Sequence, residues 1–146
     1  MKVDFYHLTR TPLERVLPSV AQKVLDDKGR LLIVAGEAEA RAKLDGLLWQ
    51  YSAESFLPHT QAGGADDSLQ PVLIAGAPDA ANGARNIALA DGVWRDEALE
   101  FDRAFHFFDE DRIAEARVAW KALADRAGIE RRYWKQNEAG RWEQAA

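Results

Sequence analysis

The sequence contains no cysteine, which excludes disulfides, thiol nucleophiles and thiolate zinc sites and fits a reducing compartment. Its three histidines, His7, His59 and His106, stand far apart and in no H-E-x-x-H or similar ligand spacing. They therefore read as structural, with His7 and His106 hydrogen-bonded within strands. No apolar run approaches the roughly 20 residues that span a bilayer. The opening MKVDFYHLTR sets Asp4 and His7 where a signal peptide needs an unbroken apolar core, so a cytoplasmic location without membrane contact is expected. Phosphate cradles are missing as well. The first strand runs into LTRTPLE rather than G-x-G-x-x-G, no G-x-x-x-x-G-K-[ST] occurs, and GAPDAANGARN has glycines without a lysine. Ser52, Ser55 and Ser68 sit in no G-x-S-x-G elbow. Asp66-Asp67 and Asp109-Glu110-Asp111 lack the spacing of a calcium loop and read as a solvated turn and a helix cap. No catalytic residue, metal or cofactor is expected.

What is present is the composition of one folded domain spanning residues 1–146: 47% hydrophobic and 29% charged residues. The formal charge of −5 argues against a general affinity for polyanions. That average conceals a reversal, because residues 1–111 carry 11 Lys and Arg against 19 Asp and Glu, whereas residues 112–141 carry 8 against 4. An acidic partner is expected at the later stretch.

The hydrophobic pattern predicts alternating strands and helices. KVDFYHL reads as a strand over residues 2–8. Thr11-Pro12-Leu13-Glu14 reads as a capping box with proline at the first helical position, opening a helix over about 12 to 27. Pro18 removes one backbone bond and predicts a kink or a later start near Leu17, and Gly29 a stop. RLLIVAG is a continuous β-branched run typical of a central parallel strand. A second helix covers 37–49, QAGGADDS is a loop, PVLIAG and NIALA are strands, and EFDRAFHFF over 100–108 is another. A last helix is expected from about 110 to 127, its apolar side formed by Ile113, Ala116, Trp120, Leu123 and Ala127, with Gly128 as its stop. IERRYWKQNEAGRWEQ then supplies a strand, a turn over 137–140 and a short final strand. The fold class is α/β: a single domain with a mostly parallel mixed sheet flanked by helices, nucleotide-binding-like but without phosphate-binding motifs.

Two constellations carry the functional interest. On the last helix Arg117 and Lys121 are four residues apart, hence on one side, with Trp120 beside them. An apolar wall with two cations at its lip suits a peptide bearing a hydrophobic side chain and a carboxylate; the competing reading is a core tryptophan beside a solvated helix face. The other constellation is LLWQYSAESFLPH over 47–59, where a buried-looking Trp49, then Phe56, Pro58 and His59, form either a site or a corner.

The chain resembles the chi subunit of bacterial DNA polymerase III, a small accessory protein of the clamp-loader assembly. The resemblance rests on FYHL, VLPSV, GRLLIV, LDGLLWQYSAESFLPH, PVLIAG, and the C-terminal series ARVAWKAL, AG, YWKQ and GRW. It implies a noncatalytic adaptor. One surface would bind the psi subunit, with Trp49 and Phe56 as its aromatic positions. Another would bind the acidic C-terminal tail of single-stranded-DNA-binding protein, at Arg117, Trp120 and Lys121, with Arg117 on the terminal carboxylate. DNA contact would be mostly indirect. The sequence departs from the family by one extra residue between the helix tryptophan and the AG pair and by a tail beyond GRW, which leaves Arg126, Arg131 and Arg132 as further basic candidates. The rival readings are direct binding of single-stranded DNA by residues 112–142, whose tryptophans and cations suit unpaired bases, and a nucleotide-binding enzyme on the same fold.

Overall fold

The computed structural model describes residues 1–50 and 58–146. Its strands are β1 (Lys2–His7), β2 (Leu31–Val34), β3 (His59–Gln61), β4 (Val72–Ala75), β5 (Asn86–Leu89), β6 (Arg103–Phe108), β7 (Glu130–Gln136) and β8 (Trp142–Gln144). Its helices are α1 (Leu13–Asp26), α2 (Ala38–Trp49) and α3 (Ile113–Ala124). The strands form one sheet in the order β3-β4-β2-β5-β6-β1-β7-β8, parallel throughout except for the pair β7 and β8. This is the expected mixed α/β architecture.

The sheet is buried on both faces because its central strands carry apolar residues at every position. Leu31, Leu32, Ile33 and Val34 of β2 are all fully buried, and so are Val72, Leu73 and Ile74 of β4 beside it. One face packs against α1 and α2 through Val16, Leu17, Ala21, Leu44 and Leu48. The other packs against α3 through Ala116, Ala119 and Leu123, with Phe5 and Phe108 beneath. Alternation along β1 decides the sides: Val3, Phe5 and His7 look toward α3, and Asp4 and Tyr6 toward α1.

Several local expectations are corrected. α1 starts at Leu13, with Pro18 buried inside it, rather than near Leu17. Thr11 is not its cap: Pro12 holds that position without a side-chain bond, and the Thr11 hydroxyl instead accepts from Gln136 Nε2 at 2.7 Å. The helix ends in a left-handed turn at Lys28 (φ 63°), where the Lys28 amide donates to Leu25 O and the Gly29 amide to Val24 O. Gly29 is needed for space instead, since a Cβ there would lie 3.0 Å from Asn86 Nδ2. β6 begins at Arg103, because residues 96–100 form a 3-10 turn, and β3 was missed in the sequence because it is three residues long. The last helix opens as a 3-10 turn over Glu110–Arg112, capped by the Asp109 carboxylate, which accepts from the Asp111 amide at 3.0 Å. Asp67 likewise organises its turn, accepting from the amides of Gly63 and Gly64.

Candidate docking face and strand ends

The C-terminal ends of parallel strands are where a doubly wound sheet receives ligands. A cleft of about 550 Å³ lies there, bordered by Leu8, Arg10, Asp91, Phe108 and Arg112. Its Asp91 is directed inward to the protein. The Asp91 carboxylate accepts from the Gly36 amide at 2.9 Å, from the Val93 amide at 3.2 Å and from both terminal nitrogens of Arg95 at 2.9 Å. Burial pushes the Asp91 pKa up, but Arg95 and the two amides outweigh it and hold the group at about 2. Arg41 donates to the carbonyls of Ala35 and Gly36, and Gln136 Oε1 accepts from the amides of Arg10 and Thr11. The amides of Gly36, Val93, Arg10 and Thr11 are therefore occupied, and Glu14, Asp109 and Asp111 bring negative charge to the rim beside the cations Arg10 and Arg112.

The α3 side of β7 is built differently. Trp120 is half-buried, with Phe5 and Tyr133 meeting its ring edge-on at centroid distances of 5.4 and 5.5 Å. Arg131 lies over the ring, its guanidinium carbon 3.9 Å from the centroid, and donates to the Trp120 carbonyl at 2.6 Å. Arg117 and Lys121 are exposed on the outer side of α3, with neither in an ion pair among the described residues, and Val118 between them is 70% exposed. Burial raises the Tyr133 pKa, the nearby Arg117 charge draws it back, and Glu110 adds to the rise. Arg117, Trp120 and Lys121 are thus gathered on one face, joined by Arg131 and by Tyr133, which the sequence did not single out.

The two other arginines go elsewhere. Arg126 pairs with Asp96 at 3.4 Å, and Arg132 points to the opposite side of the sheet, onto Asp4. Adjacent residues of a strand face opposite ways, so RR in ERRYW serves both faces with one residue each.

Trp49 is 58% exposed rather than buried, because it sits at the last turn of α2, whose buried residues are Leu44 and Leu48. Its ring lies 4.7 Å from that of His59, whose Nε2 is 3.2 Å from the Asp45 carboxylate. Phe56 lies outside the described residues. His106 is fully buried among Phe5, Trp94 and Phe108, and contrary to expectation neither ring nitrogen has a hydrogen-bond partner among the described residues. His7 is also buried, its Nε2 lying 2.8 Å from Glu110 Oε1 but outside hydrogen-bond alignment.

No helix among the described residues is long and apolar enough to cross a membrane. No curated protein matches the chain. The family model described as the DNA polymerase III chi subunit, HolC, matches residues 1–130, stopping at the first residue of β7. With a match over most of its length, the chain belongs to the DNA polymerase III chi subunit family and is an accessory subunit of that polymerase.

Proposed function

We propose that this chi-family chain is a noncatalytic adaptor that joins the clamp loader, through psi, to the acidic C-terminal tail of single-stranded-DNA-binding protein in the cytoplasm. The observation that carries the reading is the pair of exposed cations, Arg117 and Lys121, in no ion pair among the described residues and flanking the half-buried Trp120 with Arg131 stacked on it. A tail that ends in apolar residues and a free carboxylate would place its side chain against Trp120. Arg117 would take the terminal carboxylate through paired donors, and Lys121 and Arg131 the upstream acidic residues. Trp49, exposed at the end of α2, is the proposed anchor toward psi together with Phe56.

A short tail with few anchors should bind at micromolar strength, about −8 kcal/mol, and weaken as salt screens its carboxylates. Calorimetric titration with a synthetic acidic tail peptide should show this. Arg117→Ala should lower the affinity about tenfold or more, while Trp49→Ala leaves it unchanged and instead weakens capture of psi. Absence of peptide binding to the unaltered chain would remove the tail site from the proposal.

A further inference from the structure

The α1 side of β6, β1, β7 and β8 carries a second surface unlike the first. Register places Tyr6 between Phe107 and Trp134, and the three rings lie nearly parallel, Tyr6 at 18° to Phe107 and 12° to Trp134. Trp142 of β8 stands at 90° to Tyr6 with centroids 5.2 Å apart. Tyr6, Trp134 and Trp142 all remain partly exposed. Between this row and α1 runs a groove of about 610 Å³, into which α1 presents Arg15, Ser19 and Lys23.

These three recur every four residues and so share one helix face. Arg15 and Lys23 are exposed, in no ion pair among the described residues, and about 12 Å apart along the axis. On the sheet side Arg103 lines the groove and shares the buried carboxylate of Asp4 with Arg132, which leaves that cluster positive, and Asp27 is the acid that lines the groove. The residues lining the groove thus carry three cations, Arg15, Lys23 and Arg103, against the one carboxylate of Asp27, a local excess on a chain of net −5.

We propose that this groove binds single-stranded nucleic acid, with bases stacked against Trp142 at its wall and phosphates running along Arg15 and Lys23. A polyanion fits better than an acidic peptide end. The guanidinium forks of Arg103 and Arg132 are already engaged by Asp4, and the free cations are spread along a helix, so they track a chain instead of clamping one carboxylate. Partly exposed aromatic planes supply the sequence-tolerant stacking that unpaired bases use. Arg132, Trp134 and Trp142 lie beyond the residues matched by the chi model, and the groove is on the opposite side of the sheet from Arg117. The proposal therefore stands apart from the tail reading.

The test is fluorescence anisotropy of a dye-labelled oligothymidylate of about 12 nucleotides, titrated with the whole chain at low and moderate salt. Saturable binding that falls steeply with salt is expected. The double variant Arg15→Glu/Lys23→Glu, altering two exposed helix residues, should lower affinity about tenfold or more, and Trp142→Ala about fivefold or more. Arg117→Ala should leave the binding as it is. Absence of saturable binding at low salt would overturn the proposal. So would binding that Arg117→Ala abolishes and the α1 variant leaves intact, since the basic C-terminal segment on the other face would then be the site. Sedimentation showing a dimer that Trp142→Ala dissociates would overturn it too, by assigning the groove to a second copy.

Discussion

His106 illustrates what burial does to a single titratable side chain. Its pKa is lowered from 6.5 to about 4, mainly by burial, which Asp91 partly opposes and Arg95 reinforces. An unfolded histidine binds a proton more readily than this one, so its contribution is fully present above about pH 6.5 and is lost as pH falls toward 4. The difference amounts to about 3 kcal/mol. Asp91 acts in a lower window, since its folded pKa of about 2 lies below its ordinary 3.8 and its contribution is lost between those values. His106→Phe keeps a ring among Phe5, Trp94 and Phe108 while removing two buried nitrogens that have no hydrogen-bond partner among the described residues. Urea unfolding from pH 7 to pH 4 should accordingly show a smaller loss of stability in this variant than in the parent. An unchanged slope would mean that His106 is protonated in the fold. None of this was legible in the sequence, where His106 reads as one polar position in a strand. Its neighbours Phe5 and Trp94 come from distant parts of the chain.

At the scale of the element, helix and strand periodicity placed α1, α2, α3 and most strands well, because those segments bury one face or both against a neighbour. The ends were less legible. The Thr11 cap failed because the hydroxyl has a better partner in Gln136, a residue 125 positions away in sequence. At the other end of α1 the left-handed position falls on Lys28 rather than on the adjacent glycine. A side chain there costs free energy that glycine does not. Lys28→Gly should therefore stabilise the chain by about 0.5–1 kcal/mol in chemical denaturation, the sign being set by the relieved strain exceeding the flexibility gained by the unfolded chain. The reverse sign would show that Lys28 makes a stabilising contact that outweighs its backbone strain.

Across the whole molecule, Asp4 ties three neighbouring strands together. Its fully buried carboxylate accepts from Arg103 at 3.0 and 3.2 Å, from Arg132 at 2.8 and 3.2 Å and from Trp134 Nε1 at 3.0 Å, joining β6, β1 and β7. Asp4→Asn would leave two guanidinium groups sharing a neutral acceptor, with partial relief because both arginines reach solvent. A loss of about 2–4 kcal/mol in urea unfolding is expected, and a loss below about 0.5 kcal/mol would show that the cluster adds nothing net. From the sequence alone, Asp4 argued against a signal peptide and nothing more. What the sequence by itself determined is the alternation of elements, the apolar central strands, the absence of phosphate motifs, the basic stretch over residues 112–141 and the family motifs, because each is written in local spacing. What the tertiary structure decided is which strands are neighbours, and hence that Arg131 lies on Trp120 while Arg132 crosses to Asp4. Strand alternation sends adjacent side chains to opposite faces, but the groups waiting there come from elsewhere: Trp120 from α3, 11 residues before Arg131, and Asp4 from a strand 128 residues before Arg132.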